Sequence, residues 1–536
     1  MAMTADDFHA TQSEDRRSTM TNDTRNASAL SRRGFIGAGA AAAFAATSVA
    51  ERAAAQGRDR LVFALSSYPP SLRPWANTGT AAGTAKCQFL RGLLSYGPKG
   101  EIRGELAESW RSDGPTTWTL RLREGVRFHD GEALTPDVVR RSFELMQDEK
   151  STASLRGAFG ALIDRIEAPD ARSVRFQLKK PSATFVYMLA SWHAPMISPK
   201  SNEANPVGAG PYRIADVERG TRIDFDAFDG YWNKGLPKTR KLRMAAYADE
   251  NLRVAALDAG DVDIIEYVPW QSYESIERNA KLAMDIVDGP FMYLNFNCVQ
   301  GPFTNAKLRQ AVAYAVRRED VVKAAFFGRG SAMNGLPFPK GSEFRDEATA
   351  NHWRTDLDLA RKLLAEGGQP NGFSCKLLST AQYGMHKDTA EVVQQSLAAI
   401  GIKVELVLPD WATRVAVGNR GQYDFGVMGS AGDFNDPDSM AQFLDGSQTP
   451  NYTRSHGYNN PKLNELFEQG RAELDVARRK AIYREMEKLA LEDAALVGVA
   501  WRSQAYAMRK PLTGFANLPG FLSFYSGLTL ENVSMG

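Results

Sequence analysis

From Arg60 onward, short apolar runs alternate with amphipathic stretches to the end of the chain. "RLVFAL" (Arg60–Leu65) has the length and continuity of a buried strand, while Thr117–Leu122 alternates apolar and polar in the strand manner. Ala81–Leu94 reads as a helix that ends in the turn "GLLSYGPKG". Val126–Phe128 reads as a further short strand, and Asp130-Gly131 is a tight-turn dipeptide. Thr135-Pro136-Asp137 has the chemistry of a helix start: a hydroxyl cap, a proline at the first helical position, and an acid near the positive end. "DARSVRFQLKKP" predicts a hairpin strand, "NPVGAGPYRIADVERGTRIDFDAF" a Gly/Pro turn feeding two strands, and "DGYWNKGLPKTRKLRMAAY" an aromatic-tipped loop before another. "NLRVAALDAGDVDIIEYVP" reads as helix, glycine stop and strand, and "FMYLNFN" as strand. "NAKLRQAVAYAVRREDVVKAAF" reads as one amphipathic helix. "FSCKLLST", "KDTAEVVQQSLAAIGI" and "KVELVLP" form a strand–helix–strand crossover, and "YDFGVMG" is the next strand. Helices follow around Leu463–Leu491, then a terminal strand and loop. The interleaving makes the class α/β, and no fixed-period repeat interrupts it.

Composition narrows the function. The chain has 536 residues, 43% hydrophobic and 24% charged, with a net charge of +2. That is ordinary for a globular protein, and long enough to require at least two lobes. The charge balance and the lack of basic runs argue against nucleic acid as a partner. Three cysteines, Cys87, Cys298 and Cys375, cannot all pair internally and are expected as free thiols. The sequence contains no H-E-x-x-H, P-loop, G-x-S-x-G or G-x-G-x-x-G pattern, so no cofactor or metal site is expected. His129, Asp130 and Glu132 cluster, but turn and cap chemistry account for that stretch without catalysis.

"SRRGFIGAGAAAAFAATSVA" (Ser31–Ala50) has paired arginines, a soft apolar core and small residues beyond it. This is the twin-arginine export pattern, with cleavage expected near Ala55 and the mature protein in the periplasm. Residues 1–30 are polar and are expected to carry no core.

At "LAESW", "LREGVRFHDG" and the Thr-Pro-Asp-Val helix start, the chain resembles the extracytoplasmic solute-binding proteins of ABC importers, family 5, the peptide- and nickel-binding type. The resemblance continues in order through "NPVGAGPY", "YWNKGLPK", "NFNCVQGPFTNAKLRQAVAYAVRRED", "ARKLLAEGG" and "GDFNDPDS", across about residues 60–515. It implies a two-lobed periplasmic-binding-protein clamshell, type II-like, with an extra subdomain in lobe 1. The boundaries it implies are a leader over 1–55, lobe 1 over 56–290 with the subdomain at about 100–210, lobe 2 over 291–500, and a return to lobe 1 over 501–536. The crossings are expected at Gly289–Asn297 and Val497–Tyr506.

The function implied is capture of a small solute, a peptide or peptide-like compound, and its delivery by a monomer to a membrane permease. The twin-arginine translocase is the expected partner during export. An exported cofactor-dependent enzyme or hydrolase is the alternative. In peptide-binding relatives an Asp pairs with the ligand's α-amino group, and Asp433 takes that place. Trp411 matches a pocket tryptophan, and Phe434, Ser430, Tyr383 and Tyr68 complete the candidate set. Two departures stand out. Ser430 occupies a position where relatives often have Trp, and Leu377–Glu391 lacks the arginine that dipeptide binders use for the ligand carboxylate. His386 or Lys387 is the candidate substitute. A simple dipeptide is therefore disfavoured, while longer peptides, opine-like conjugates, modified amino acids and glycan fragments remain open.

Overall fold

The computed structural model describes residues 60–76 and 78–535. The export signal read at Ser31–Ala50 and the cut near Ala55 lie outside them. One mixed sheet organises the chain. Arg60–Leu65 lies between two parallel neighbours, Lys241–Ala246 and Ile264–Ile265. The antiparallel strands Arg222–Ala227 and Tyr212–Glu218 extend that side. At the far side Ser374–Leu378 runs parallel to both Lys403–Val407 and Phe425–Ser430.

Two long strands join these halves. Leu282–Phe296 and Leu496–Arg509 pair antiparallel, with register shifts between Asp288 and Phe291 and between Met292 and Tyr293. Extra residues at such shifts bend and twist a ladder, and here they sit where the paired strands leave one core for the other. Phe291, Leu294 and Val497 pack into a core with Phe425, Val427 and Leu466. Tyr506 and Met508 pack into another with Leu61, Phe63 and Phe225. The architecture is the two-lobed α/β clamshell.

A four-stranded antiparallel sheet stands on the first half: Ala107–Gly114, Thr117–Leu122, Ser173–Leu178 and Ile163–Asp170. Helix Pro136–Gln147 covers it, and Thr135 Oγ1 accepts from the Val138 N–H at 3.3 Å as the cap chemistry requires. The His129 cluster is structural. His129 Nε2 lies 3.0 Å from the Gly210 carbonyl, Asp130 accepts from Ser198 Oγ at 2.5 Å, and Glu132 pairs with Lys200 at 2.5 Å. Burial pushes His129 down to about 4.

Three expectations are corrected. The first helix is Thr80–Phe89, because Leu90 turns extended and the short strand Arg91–Gly92 pairs with Pro195–Met196. Val126–Phe128 is not a strand; the Arg127–Ala133 pairing is an isolated bridge flanking the Asp130-Gly131 turn. The amphipathic run from Asn305 is two helices, Ala306–Ala315 and Arg318–Phe326. The break lets the Arg318 guanidinium turn inward, where it donates to the carbonyls of Met333, Gly498, Val316 and Trp353. Cys87, Cys298 and Cys375 are free thiols.

Candidate functional site

Strand Phe425–Ser430 ends beside Phe291 on the long strand, and the chain then turns into "AGDFNDPDSM". Three carboxylates follow within six residues, and they differ in their partners. Asp436 caps the 3₁₀ turn Pro437–Met440 and receives both Nη atoms of Arg479, at 2.5 and 2.7 Å. Asp438 accepts from Arg471 Nε at 2.7 Å; burial still raises it to about 6. Asp433 has no hydrogen bond or ion pair among the described residues. Its side chain is open to solvent, yet enough protein surrounds it that desolvation raises its pKa. Both properties belong to a carboxylate in a deep, wet cleft. The capping role falls to Asp436, which leaves Asp433 uncommitted.

Asp433 and Phe434 line a cavity of about 540 Å³. Its other walls come from the first lobe (Leu155, Pro181, Met188) and the second (Gln442, Arg471). The lobes touch along this edge. Phe434 stacks on Tyr187, ring centroids 5.3 Å apart and planes 17° from parallel. The Ala183 N–H donates to the Arg471 carbonyl at 2.7 Å, and Lys180 Nζ lies 3.3 Å from Glu468 Oε1. Tyr96 and Tyr525, both buried, lie close enough to Asp433 to feel its charge, and Tyr525 stacks on Trp192 at 4.3 Å.

A second group forms around the start of helix Gly384–Ala398. The Trp411 ring lies 5.5 Å from Tyr383, 5.6 Å from His386 and 6.2 Å from Tyr452, all edge-on. Arg414, one turn further along helix Trp411–Asn419, stacks its guanidinium 5.3 Å from the Trp411 ring. Asp410 caps that helix through the Thr413 N–H at 3.0 Å, and Gln382 Oε1 accepts from the Trp411 backbone N–H at 3.0 Å, so the start of the helix is fixed.

The structure therefore brings Tyr383 and Trp411 together, and Asp433, Phe434 and Ser430 together on one strand end. Tyr68 lies apart from both groups, half-buried against the first core, without a ring contact or hydrogen bond to the other five among the described residues. Neither proposed substitute for the missing arginine serves. His386 is buried, and burial with the nearby Arg502 and Arg414 pushes it down to about 3, so it carries no charge at neutral pH. Lys387 points along the helix to Glu391 at 3.4 Å.

Side chains not singled out in the sequence also converge here. Tyr267 faces this region from the first lobe with φ 49°, left-handed for a residue with a Cβ. The buried Arg253 holds that geometry by donating to the carbonyls of Glu266, Tyr267 and Tyr247 at 3.1, 2.9 and 2.6 Å. Tyr267 stacks on Phe524 at 5.8 Å, and its hydroxyl lies 3.2 Å from Thr80 Oγ1. Arg502 reaches the same region from the long strand Leu496–Arg509, donating to Met385 Sδ at 3.0 Å. The signal for Arg502 was present: it is the lone cation inside the apolar run "LVGVAWRSQAYAM".

The geometry is a cavity between the lobes carrying Asp433 and Phe434, and a separate aromatic group around Trp411. No group of His, Cys, Asp or Glu able to hold a metal ion occurs among the described residues. The model of the bacterial extracellular solute-binding proteins, family 5 Middle, matches residues 101–452. The glutathione-binding protein GsiB of Pectobacterium atrosepticum is 30% identical over 512 residues, 92% of this chain and 97% of that protein. The structure of the binding protein AgaA of A. tumefaciens R10, in complex with agropinic acid, is 40% identical with TM-score 0.78, covering 89% of this chain and 99% of that one. The Helicobacter pylori DppA structure, in complex with the peptide STSA, shares the fold at 23% identity and TM-score 0.75, covering 89% and 98%.

Proposed function

The chain belongs to family 5 of the bacterial extracellular solute-binding proteins, which capture substrates outside the cytoplasm for ABC importers, and from that premise we propose that its ligand is a peptide or peptide-like conjugate whose amino group is received by Asp433. The observation that carries this is the contrast within "DFNDPD". Asp436 and Asp438 each have an arginine, and Asp433 has none while it faces the cleft. An ammonium brought there forms a charge-assisted hydrogen bond in a site from which closure removes water. Phe434 with Tyr187, and Trp411 with Tyr383, supply flat apolar walls for the rest of the ligand.

The relatives support the class. GsiB is named for glutathione, AgaA was solved with agropinic acid, and DppA with a peptide. In this reading Ser430, standing where relatives often have Trp, leaves room beside Asp433 for a ligand bulkier than a dipeptide.

The proposed lobe boundaries follow the crossings: lobe 1 over 56–290 and 501–536, lobe 2 over 291–500. The same reading has the precursor exported through the twin-arginine translocase, cut near Ala55, and working as a monomer beside its permease.

A thermal-shift screen tests the ligand class with Met-Leu, Ser-Thr-Ser-Ala, glutathione, agropinic acid and amine-free oligosaccharides on wild type and Asp433→Asn. A compound at 100 times its Kd stabilises by about 2.7 kcal/mol. The expected result is a shift by an amine-bearing compound in wild type that shrinks in Asp433→Asn. A shift by oligosaccharides alone would contradict the assignment.

A further inference from the structure

Arg502 stands in an unusual position for a guanidinium. It interrupts a strand whose other interior residues, Val497–Met508, are all buried, and it is itself only partly exposed. Its single hydrogen bond among the described residues goes to the Met385 thioether, a weak acceptor. Its Nε is shut away from solvent with no acceptor. No acid pairs with it among the described residues. Arg414 lies behind the same wall, fully buried, with Nε and Nη1 also unpartnered. Its Nη2 donates to the Val427 carbonyl at 2.9 Å, and it likewise has no acid.

Two guanidiniums around an uncharged His386 make a local excess of positive charge in a protein-lined space. Leaving charge there is costly unless carboxylates or carbonyls receive its donors. Other buried arginines are met in this way inside the chain: Arg91 and Arg479 have carboxylates at 2.9 and 2.5 Å, and Arg253 and Arg318 each donate to several backbone carbonyls. Of Arg502 and Arg414, Arg502 is the one that is partly exposed. Arginine's planar fork of donors matches a carboxylate in two-point contact.

Position supports the same partner. Met385 is the second residue of helix Gly384–Ala398, within the stretch that lacks the arginine dipeptide binders place there. Arg502 brings a guanidinium to that place from the opposite strand. Ser430 pairs with Phe291, and Phe291 with Trp501, so the backbone at Arg502 lies about 10 Å, two strand spacings, from the strand end that leads to Asp433.

We infer that Arg502 receives a carboxylate of the ligand, so that the solute carries an acid at one end and the amine held by Asp433 at the other. The inference rests on the binding role proposed above for the cleft. Arg414, buried behind it, positions Trp411 and adds to the local field.

Isothermal titration tests it with free-acid and C-terminal-amide forms of Met-Leu, Ser-Thr-Ser-Ala and glutathione. The proteins are wild type, Arg502→Gln and Arg502→Lys, each with thermal unfolding recorded without ligand. The expected result is that wild type prefers the acid over the amide by about 10- to 100-fold. Arg502→Gln loses that preference, Arg502→Lys recovers part of it, and neither unfolds earlier than wild type. Equal binding of acid and amide by wild type overturns the inference while leaving the amine reading intact. Loss of binding together with early unfolding in Arg502→Gln also overturns it, by making the residue structural. Failure of wild type to bind any of the probes in either form instead contradicts the ligand class itself.

Discussion

Two regions of the protein hold charge on opposite plans. In the first lobe Arg91, Arg103, Glu105 and Glu531 form a closed cluster. Arg91 reaches Glu531 at 2.9 Å and Glu105 at 3.2 Å, and Arg103 reaches both acids at 3.2 Å. Tyr231 Oη donates to Glu531 at 2.8 Å and contacts Glu105 at 3.0 Å. Every charge there has a partner, and the cluster ties the C-terminal 3₁₀ segment Gly520–Asn532 to residues 91–105. In the cleft, Asp433 and Arg502 are set apart, each without an opposite charge among the described residues. The closed plan satisfies itself and makes structure. The open plan costs stability in the free protein and regains it when a ligand supplies the missing charges.

Breaking the closed cluster is expected to have the largest effect. Glu531→Gln leaves two arginines short of an acid, and loss of one partner in a buried pair costs about 3–5 kcal/mol. Urea unfolding reads this, with ligand affinity unchanged. Burial alone would raise the Glu531 carboxyl, but Arg91 and Arg103 more than reverse that and hold it below the usual range. A depressed acid contributes fully above its unfolded pKa of about 4.3 and loses that contribution as pH falls through its folded value. The gap in stability between wild type and Glu531→Gln should therefore be widest near neutral pH and narrow under acid.

Next in size is the open site. Asp433→Asn removes a charge-assisted bond to the ligand and is expected to cost about 10- to 100-fold in affinity. The ligand-free protein should be as stable or slightly more stable, because desolvation raises the Asp433 pKa and so penalises its ionised form. The Tyr187–Phe434 stack between lobes comes third. A double-mutant cycle of Tyr187→Ala and Phe434→Ala should give a coupling of about 0.5–1.5 kcal/mol in ligand binding. The smallest effect belongs to Lys180–Glu468, whose side chains are 56% and 66% exposed. Lys180→Ala should change affinity by less than about 1 kcal/mol, and the difference should vanish in high salt.

The fold was largely readable because its signals are local. A continuous apolar run placed Arg60–Leu65, strand alternation placed Thr117–Leu122, and Thr135 with Pro136 placed a helix start, each a signal a few residues long. The break before Arg318 was not readable, because the run stays amphipathic and the cause lies in carbonyls as distant as Gly498. The site divides in the same way. Asp433 was found through motif order, and its freedom was visible only once Arg479 and Arg471 were seen to occupy its neighbours. Arg502 was overlooked because its meaning depends on Met385, 117 residues away. A lone arginine in an apolar strand shows that something must satisfy it, and the folded chain shows that no acid of the described protein does.

The most direct test measures two quantities on the same pair of proteins: the Kd for one cleft ligand, and the unfolding free energy without ligand, in wild type and Asp433→Asn. An uncommitted carboxylate predicts weaker binding with stability retained or gained. Unchanged binding with reduced stability would contradict it, and would place Asp433 with Glu531 among the residues that hold the fold.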